Sequence, residues 1–418
     1  MRWLNADGRV LLLTRALRSC GYGYLAVVLA LYLNQIGLDS LQIGALLTAA
    51  LAGSAAMNVF WSLRADQFGR RRTMVIMGLL MCAGGLLFAL TDNVWLLLLA
   101  AFSGTISATS SEVGAFVTVE QAILPQTAPA EQRTWLFSVY DLLGSFAGAA
   151  GALLSGTPAW WTSLGVSGAD AYRPLFVLYA AIGLANAWLF WRLSDRVELA
   201  RVEGERRFLG VHRSRGIVAR LALLFGLDAF AGALVVQSLL AYWFYVRWGL
   251  APAELAVLFF WVNLVSGLSF LATPLLAQRF GLLNTMVFSH LPSNVLLMLV
   301  PLAPSPEGAI ALLLLRQTLS QMDVPTRKSY MMAVVEPDER TATAGLTNTA
   351  RTVAAACAPV LTGAAFSVAA LGLPFIVGGG LKILYDSLIW LTFHDLRPPE
   401  EQARRAGGHD RCTYPRAG

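Results

Sequence analysis

The sequence predicts an all-α polytopic membrane protein with twelve transmembrane helices in two pseudo-symmetric six-helix bundles. Three observations carry this. Of 418 residues, 56% are hydrophobic and only 13% charged, against about 25% charged in a soluble domain. Apolar runs of ~20 residues, the length that crosses a bilayer as a helix, recur along the chain. They are too long and too continuous for the ~10-residue alternating strands of a membrane barrel. Finally, the basic clusters fall in alternate turns between these runs, as the bias of basic residues towards the cytoplasmic side requires.

Span 1 covers 12–35, with Arg2, Arg9, Arg15 and Arg18 on its N-terminal side, so the N-terminus is expected in the cytoplasm. Span 2 (41–63) leads to the stretch SLRADQFGRRR from Ser62 to Arg72, a charged turn at the inner surface. Span 3 (73–91) reaches an outer turn at Asp92 and Asn93, and span 4 (94–122) returns to Glu120 and Gln121. Span 5 (134–157) is followed by an outer loop whose Trp160 and Trp161 suit an interfacial anchor. Span 6 covers 174–193. The polar segment 194–216 carries Arg196, Arg201, Arg206, Arg207, Arg213 and Arg215 and forms a basic cytoplasmic linker. Spans 7–12 are expected at 217–246, 253–277, 283–302, 308–334, 341–369 and 374–394. The chain thus divides into an N-terminal bundle (1–193), the linker (194–216), a C-terminal bundle (217–394) and a cytoplasmic tail (395–418).

The halves repeat. Residues 131–156 align without a gap on 338–363, so that Arg133 meets Arg340, Asp141 meets Asn348 and Gly156 meets Gly363. Glu112 corresponds to Asp323, and Phe68-Gly69 to Phe280-Gly281, where the second copy lacks the arginines. Two parallel repeats imply a pseudo-two-fold axis along the membrane normal.

On these features the chain resembles the major facilitator superfamily (MFS) of secondary transporters. The most specific match is the loop signature G-x-x-x-D-x-x-G-R-R/K, met by Asp66, Gly69, Arg70 and Arg71, with Ser62 in place of the first glycine. The resemblance implies a cytoplasmic conformational latch built from Asp66, Gly69, Arg70, Arg71 and Arg72, with Arg133 and Arg340 at the starts of spans 5 and 11. Span 4 departs from the family in carrying Glu120 and Gln121 where an arginine is usual. Span 5 holds Gly144, Gly148, Gly151 and Gly156 but lacks the proline of the antiporter signature. These glycines suit either export or tight helix packing.

Ionisable residues inside spans are costly, so each is a functional candidate. The acids are Glu112, Glu120, Asp141, Asp228, Asp323 and Asp386; the bases are Arg316, Arg327, Lys328, Arg351 and Lys382. At helical spacing Arg316, Ser320, Asp323 and Arg327 share one stripe of span 10, with Gln317, Gln321 and Lys328 beside it. Pro325 should kink this helix. Asp323 and Arg327 suit a structural pair or direct contact with substrate or proton. Glu112 suits proton coupling or a gate hydrogen bond. Asp228 has no base on its own helix and needs a partner elsewhere or a proton. Lys382 and Asp386 read as a self-satisfied i,i+4 pair. Tyr22 and Tyr24 of span 1 and Asn263 of span 8 are candidates to line a cavity for an organic solute. Tyr242, Trp243 and Tyr245 read as an interfacial belt.

The formal charge of +6 lies in loops and serves topology and lipid headgroups, not nucleic acid. Cys20, Cys82, Cys357 and Cys412 have neither disulfide nor zinc spacing. No nucleotide-binding loop occurs, so an enzyme is not expected, nor a metal or cofactor, and no cleavable signal peptide is evident. The expected function is secondary active transport by alternating access, with proton-coupled efflux of a small organic or toxic compound. The alternative is import of a nutrient or organic anion; metalloid export and a non-transporting receptor are minor alternatives. The expected partners are a small-molecule substrate, protons and the bilayer, and the expected setting is a monomer in the plasma membrane with both termini cytoplasmic.

Overall fold

The computed structural model describes residues 4–109, 114–127, 133–166, 168–198, 213–336 and 339–396. Glu112, most of the linker and the tail beyond Leu396 lie outside the described residues, as do the side chains of Asp66, Arg133 and Arg340.

The first half comprises α1 (Ala6–Gln35), α2 (Ser40–Phe68), α3 (Arg70–Leu90), α4 (Val94–Phe102), α5 (Ala115–Ile123), α6 (Arg133–Leu154), α7 (Thr157–Ser163) and α8 (Arg173–Trp191). The second comprises α9 (Arg215–Ala233), α10 (Gln237–Trp248), α11 (Pro252–Phe280), α12 (Leu282–Leu299), α13 (Pro306–Ser320), α14 (Asp323–Val334), α15 (Arg340–Ala356), α16 (Ala358–Ser367) and α17 (Leu373–Phe393). No strand occurs among the described residues.

Helix ends follow local chemistry. Asn5 caps α1, Asn93 caps α4 and Ser305 caps α13 through side-chain oxygens that accept otherwise unbonded N–H groups. Asp39 and Gln42 form a reciprocal capping box on α2. Gly69 (φ 106°) and Gly281 (φ 89°) take the left-handed backbone that separates α2 from α3 and α11 from α12. The two copies of this turn therefore keep the same glycine geometry although only one keeps the arginines.

Eight described spans are long and apolar enough to cross a membrane by themselves. The other four expected spans correspond to α4 with α5, to α6, to α13 with α14, and to α15 with α16. Three of these four are broken, and so is span 7, between α9 and α10. Proline explains two of the breaks. Pro325 cannot bond the carbonyl of Gln321, and the helix stops at Gln321 and Met322, one turn before the proline. Pro359 acts likewise on span 11, which breaks at Cys357. In span 7 the freed Leu234 carbonyl accepts the Thr362 hydroxyl at 2.7 Å, so the break is satisfied without water.

The packing repeats across the halves. Helix α3 lies on α8 as α12 lies on α17, and α1 lies on α6 as α9 lies on α15. The halves meet through α2 on α16 and α6 on α11, again an exchanged pair. Small residues permit this. A methyl group on Gly23 would stand 2.1 Å from the Gly148 carbonyl oxygen, and one on Gly151 would stand 2.0 Å from that of Cys20. The glycine series of span 5 is thereby used for backbone contact with α1.

Candidate functional site

Helix α9 is apolar around Asp228, yet this carboxylate is buried. Burial without partners would cost several kcal/mol, and three helices supply them. Lys382 of α17 donates to Oδ1 at 2.6 Å, while Arg327 of α14 and Arg351 of α15 donate to Oδ2 at 3.0 and 3.1 Å. Arg327 also donates to Asp323 at 2.8 Å, so the expected Asp323–Arg327 pair forms and is joined to Asp228. The side chains of Asp228, Arg327 and Lys382 are 5–9% exposed, and that of Arg351 is 26% exposed, which makes Arg351 the open edge of the cluster.

Lys382 and Asp386 do not satisfy each other as their spacing suggested. Lys382 turns to Asp228, and Asp386 accepts from Asn294 at 2.9 Å and meets His290 Nδ1 at 2.9 Å. The reason is the competing carboxylate: Asp228 would otherwise face only two arginines, and His290 would lack a partner. Neither His290 nor Asn294 was singled out by sequence reasoning. Their i,i+4 placement within the apolar run of span 9 was the available signal.

The rest of the span 10 stripe forms a second chain. Arg316 donates to Gln317 at 3.0 Å, Gln317 donates to Ser266 of α11 at 2.7 Å, and Ser320 donates to Gln317 at 3.1 Å. Gln321 sits half-buried at the break, and Lys328 is exposed, away from the cluster. Asn263 is buried one turn before Ser266. Across the described cluster three carboxylates (Asp228, Asp323, Asp386) face four fixed cations (Arg316, Arg327, Arg351, Lys382), which leaves one net positive charge with His290 neutral.

The N-terminal half has a smaller interior site. Glu120 is fully buried and accepts from Arg18 at 2.7 Å, from Thr14 at 3.4 Å and from the Tyr140 hydroxyl. Arg18 lies over the rings of Phe116 and Phe190. It was expected as a flanking charge, but α1 begins at Ala6 and carries it about three turns along the helix into the bundle. Span 4 therefore holds the acid and span 1 the base, in place of the family's arginine on span 4. Tyr22 and Tyr24 cannot share a cavity wall, since residues two apart on a helix point away from each other. Tyr22 packs within the bundle against Tyr179 and borders a small cavity of about 20 Å³ with Met57, Thr105 and Phe116. Tyr24 is fully buried. Asp141 is exposed on α6.

The arginine loop contacts the segment after span 6. The backbone N–H groups of Arg70 and Arg71 donate to Glu198 at 2.7 and 3.1 Å, an anion at the start of α3. The Arg71 guanidinium reaches Asp195 at 2.9 Å and the Leu193 carbonyl at 3.1 Å. Arg72 is exposed. Nearby, Asp7 accepts from the Ser194 N–H at 2.9 Å and hydroxyl at 2.6 Å. At the other end of the linker Glu339 accepts from the N–H groups of Arg213 and Ser214 at 2.6 and 3.0 Å.

At the opposite end of the molecule the halves are bonded together. Tyr242 meets Asn34 at 3.3 Å and Ser40 at 3.2 Å, Tyr245 meets Gln35 at 3.3 Å, and the Val360 N–H donates to Thr48 at 3.1 Å. The tyrosines expected in an interfacial belt are thus cross-links between bundles.

Residues 11–359 match the family model of the Major Facilitator Superfamily. The chain is 26% identical over 422 residues to an uncharacterized membrane protein of Saccharomyces cerevisiae, covering 93% of this chain and 94% of that one. Its fold is similar to that of a bacterial homolog of the human lysosomal transporter Spinster, solved inward-facing and unoccupied (TM-score 0.70, 16% identity, 92% of this chain and 94% of that one). It is also similar to the Escherichia coli xylose transporter in a partially occluded inward-open form (TM-score 0.67, 13% identity, 95% and 99%). A human organic anion transporter shares the fold as well (TM-score 0.64, 16% identity, 92% and 100%). With its helical repeat, its glycine turn and these matches together, the chain belongs to the Major Facilitator Superfamily and is a multi-pass membrane transporter rather than an enzyme.

Proposed function

We propose that the protein is a proton-coupled secondary transporter that exports a small organic compound across the plasma membrane by alternating access. The observation that carries this is Asp228, one buried carboxylate held by cations from three different helices. A proton arriving at Asp228 removes the charge that gathers α14, α15 and α17 around α9. Releasing even one of those cations changes the packing of the bundle, which is how a binding event becomes a conformational one. The basic linker orients the arginine-loop end towards the cytoplasm. The tyrosine cross-links then close the outer side, and the conformation faces inward, as do the Spinster homolog and the xylose transporter. In this reading Asp66 and the loop arginines act as a latch that trades contacts when the inner side closes.

A second reading has its own observation. The cluster carries an excess cation, with Arg351 at its open edge, which favours an organic anion as the solute. Of the transporters above, the E. coli one is named for xylose and the human one for organic anions.

Solute flux in proteoliposomes, with and without a pH gradient, tests the coupling. Gradient-driven flux should fall at least about tenfold in Asp228→Asn and Asp323→Asn. Flux indifferent to the gradient and to both substitutions would overturn the proposal. Uptake into right-side-out vesicles separates export from import.

A further inference from the structure

On the peripheral side of the C-terminal half the central cluster continues outward as a row of groups. Asp228 Oδ1 accepts from Lys382 Nζ at 2.6 Å, Lys382 Nζ stands 3.4 Å from His290 Nε2, and His290 Nδ1 stands 2.9 Å from Asp386 Oδ1. Asn294 donates to the second oxygen of Asp386 at 2.9 Å. An ammonium has donors only, so His290 Nε2 must present its lone pair to Lys382 and carry its proton on Nδ1 towards Asp386. His290 is 2% exposed and Asp386 fully buried. A neutral imidazole placed between an ammonium and a buried carboxylate is an empty proton site with its counter-ion already in place.

We infer that His290, paired with Asp386, is where the transported proton rests: between spans 9 and 12, behind the central cluster and not within it. The inference builds on the proton-coupled reading above. The transfer balances. A proton binds Asp228; Asp228 passes it to Lys382 as Lys382 passes one of its own to His290 Nε2. Asp228 ends as a carboxylate, Lys382 as an ammonium, and His290 as an imidazolium whose charge is met by Asp386. Lys382 now faces a donor instead of an acceptor while keeping Asp228 as its partner, so the change falls on the contact between α12 and α17 rather than on α9. Return of the proton by the same row restores it.

The charged and titratable groups around His290 are few. Helix α17 contributes Lys382, Asp386 and Tyr385, whose ring stands edge-on at 6.2 Å. Asn294 comes from its own helix. Beyond Lys382 lie Asp228 of α9, Asp323 and Arg327 of α14, Arg351 of α15 and Arg316 of α13. Each carboxylate except Asp386 is held by a cation from an arginine or Lys382, so Asp386 alone is left to balance an imidazolium.

The full chain contains four histidines: His212, His290, His394 and His409. The variant with His212→Gln, His394→Gln and His409→Gln leaves His290 as the single imidazole for nitrogen-15 resonance in nanodiscs. The expected result, followed from about pH 9 down to about pH 5, is an Nδ1–H tautomer that gives way to a doubly protonated ring. An imidazole that stays neutral throughout this range would overturn the inference without any transport measurement. In proteoliposomes, His290→Gln should lose gradient-driven accumulation about tenfold or more while keeping solute exchange at equal pH. Wild-type flux driven by the gradient with His290→Gln driven equally would sink this inference alone. A wild-type protein indifferent to the gradient would sink the proton-coupled reading and this inference together.

Discussion

The two halves pack alike and are wired differently. In the N-terminal half, α1 and α6 touch backbone to backbone through glycines, and the interior charge is the Arg18–Glu120 pair with two hydroxyls. In the C-terminal half, the equivalent helices α9 and α15 leave more room, and the interior holds a network that runs from Arg351 to Asp386. The same helix arrangement therefore does not require the same interior. Packing of small residues specifies the bundle, and the buried charges are free to diverge into a local brace on one side and a connected network on the other.

Substitutions can break this contrast, the largest effect first. Asp228→Ala leaves Lys382 and Arg351 without their carboxylate and Arg327 with Asp323 alone, and should cost ~3–5 kcal/mol of stability and abolish transport. Replacing Lys382 by Met as well should not rescue it, because two arginines remain. The N-terminal pair should behave otherwise. Arg18→Met combined with Glu120→Gln removes charge from both partners and keeps an acceptor for Tyr140. Thermal unfolding should then return to within ~1 kcal/mol of wild type, with transport retained. Equal behaviour of the two double variants would end the distinction between brace and network.

Next come the glycines. Gly23→Ala drives a methyl into the Gly148 carbonyl and should destabilise by ~1–3 kcal/mol. Gly226→Ala, whose methyl would stand 3.6 Å from the nearest atom, should be neutral or gain up to ~1 kcal/mol of helix propensity. Unfolding of the two single variants in detergent compares the halves directly. The smallest loss belongs to Tyr242→Phe. It removes hydrogen bonds to Asn34 and Ser40 worth ~1 kcal/mol, and so should shift the population about fivefold away from the outer-closed state. Spin labels on the two outer turns, read by pulsed distance measurement, would show the added long distance.

The sequence carried the fold because hydrophobic length, basic turns and the internal repeat are local or periodic signals. Asp228, Asp323, Arg316 and Arg327 were legible for a related reason: a charge in an apolar run is conspicuous. Their partners were not. Which of Arg327, Arg351 and Lys382 would reach Asp228 depends on how four helices meet, and helical spacing pointed instead to a Lys382–Asp386 pair that the structure replaces with two longer-range contacts. His290 escaped notice because a single neutral histidine in a span looks like packing until Asp386 and Lys382 are seen on either side. Arg18 was misplaced by a boundary: starting α1 six residues earlier turns a flank into an interior. The break in span 10 was expected from Pro325, but not that it would separate Arg316 and Gln317 from Asp323 and Arg327.

The carboxylate clamps on the linker have a consequence for how the molecule could be cut. Glu198 and Asp7 hold the linker's first residues to the N-terminal half, and Glu339 holds its last residues to the C-terminal half. Neither clamp crosses between halves. The fourteen residues between them, 199–212, lie outside the described residues, and a chain of that length can reach about 50 Å when extended. Two separately expressed chains, ending and starting inside this segment, each keep a complete set of end clamps. They should find each other through α2 on α16 and α6 on α11, so covalent continuity serves to deliver the halves together rather than to hold them.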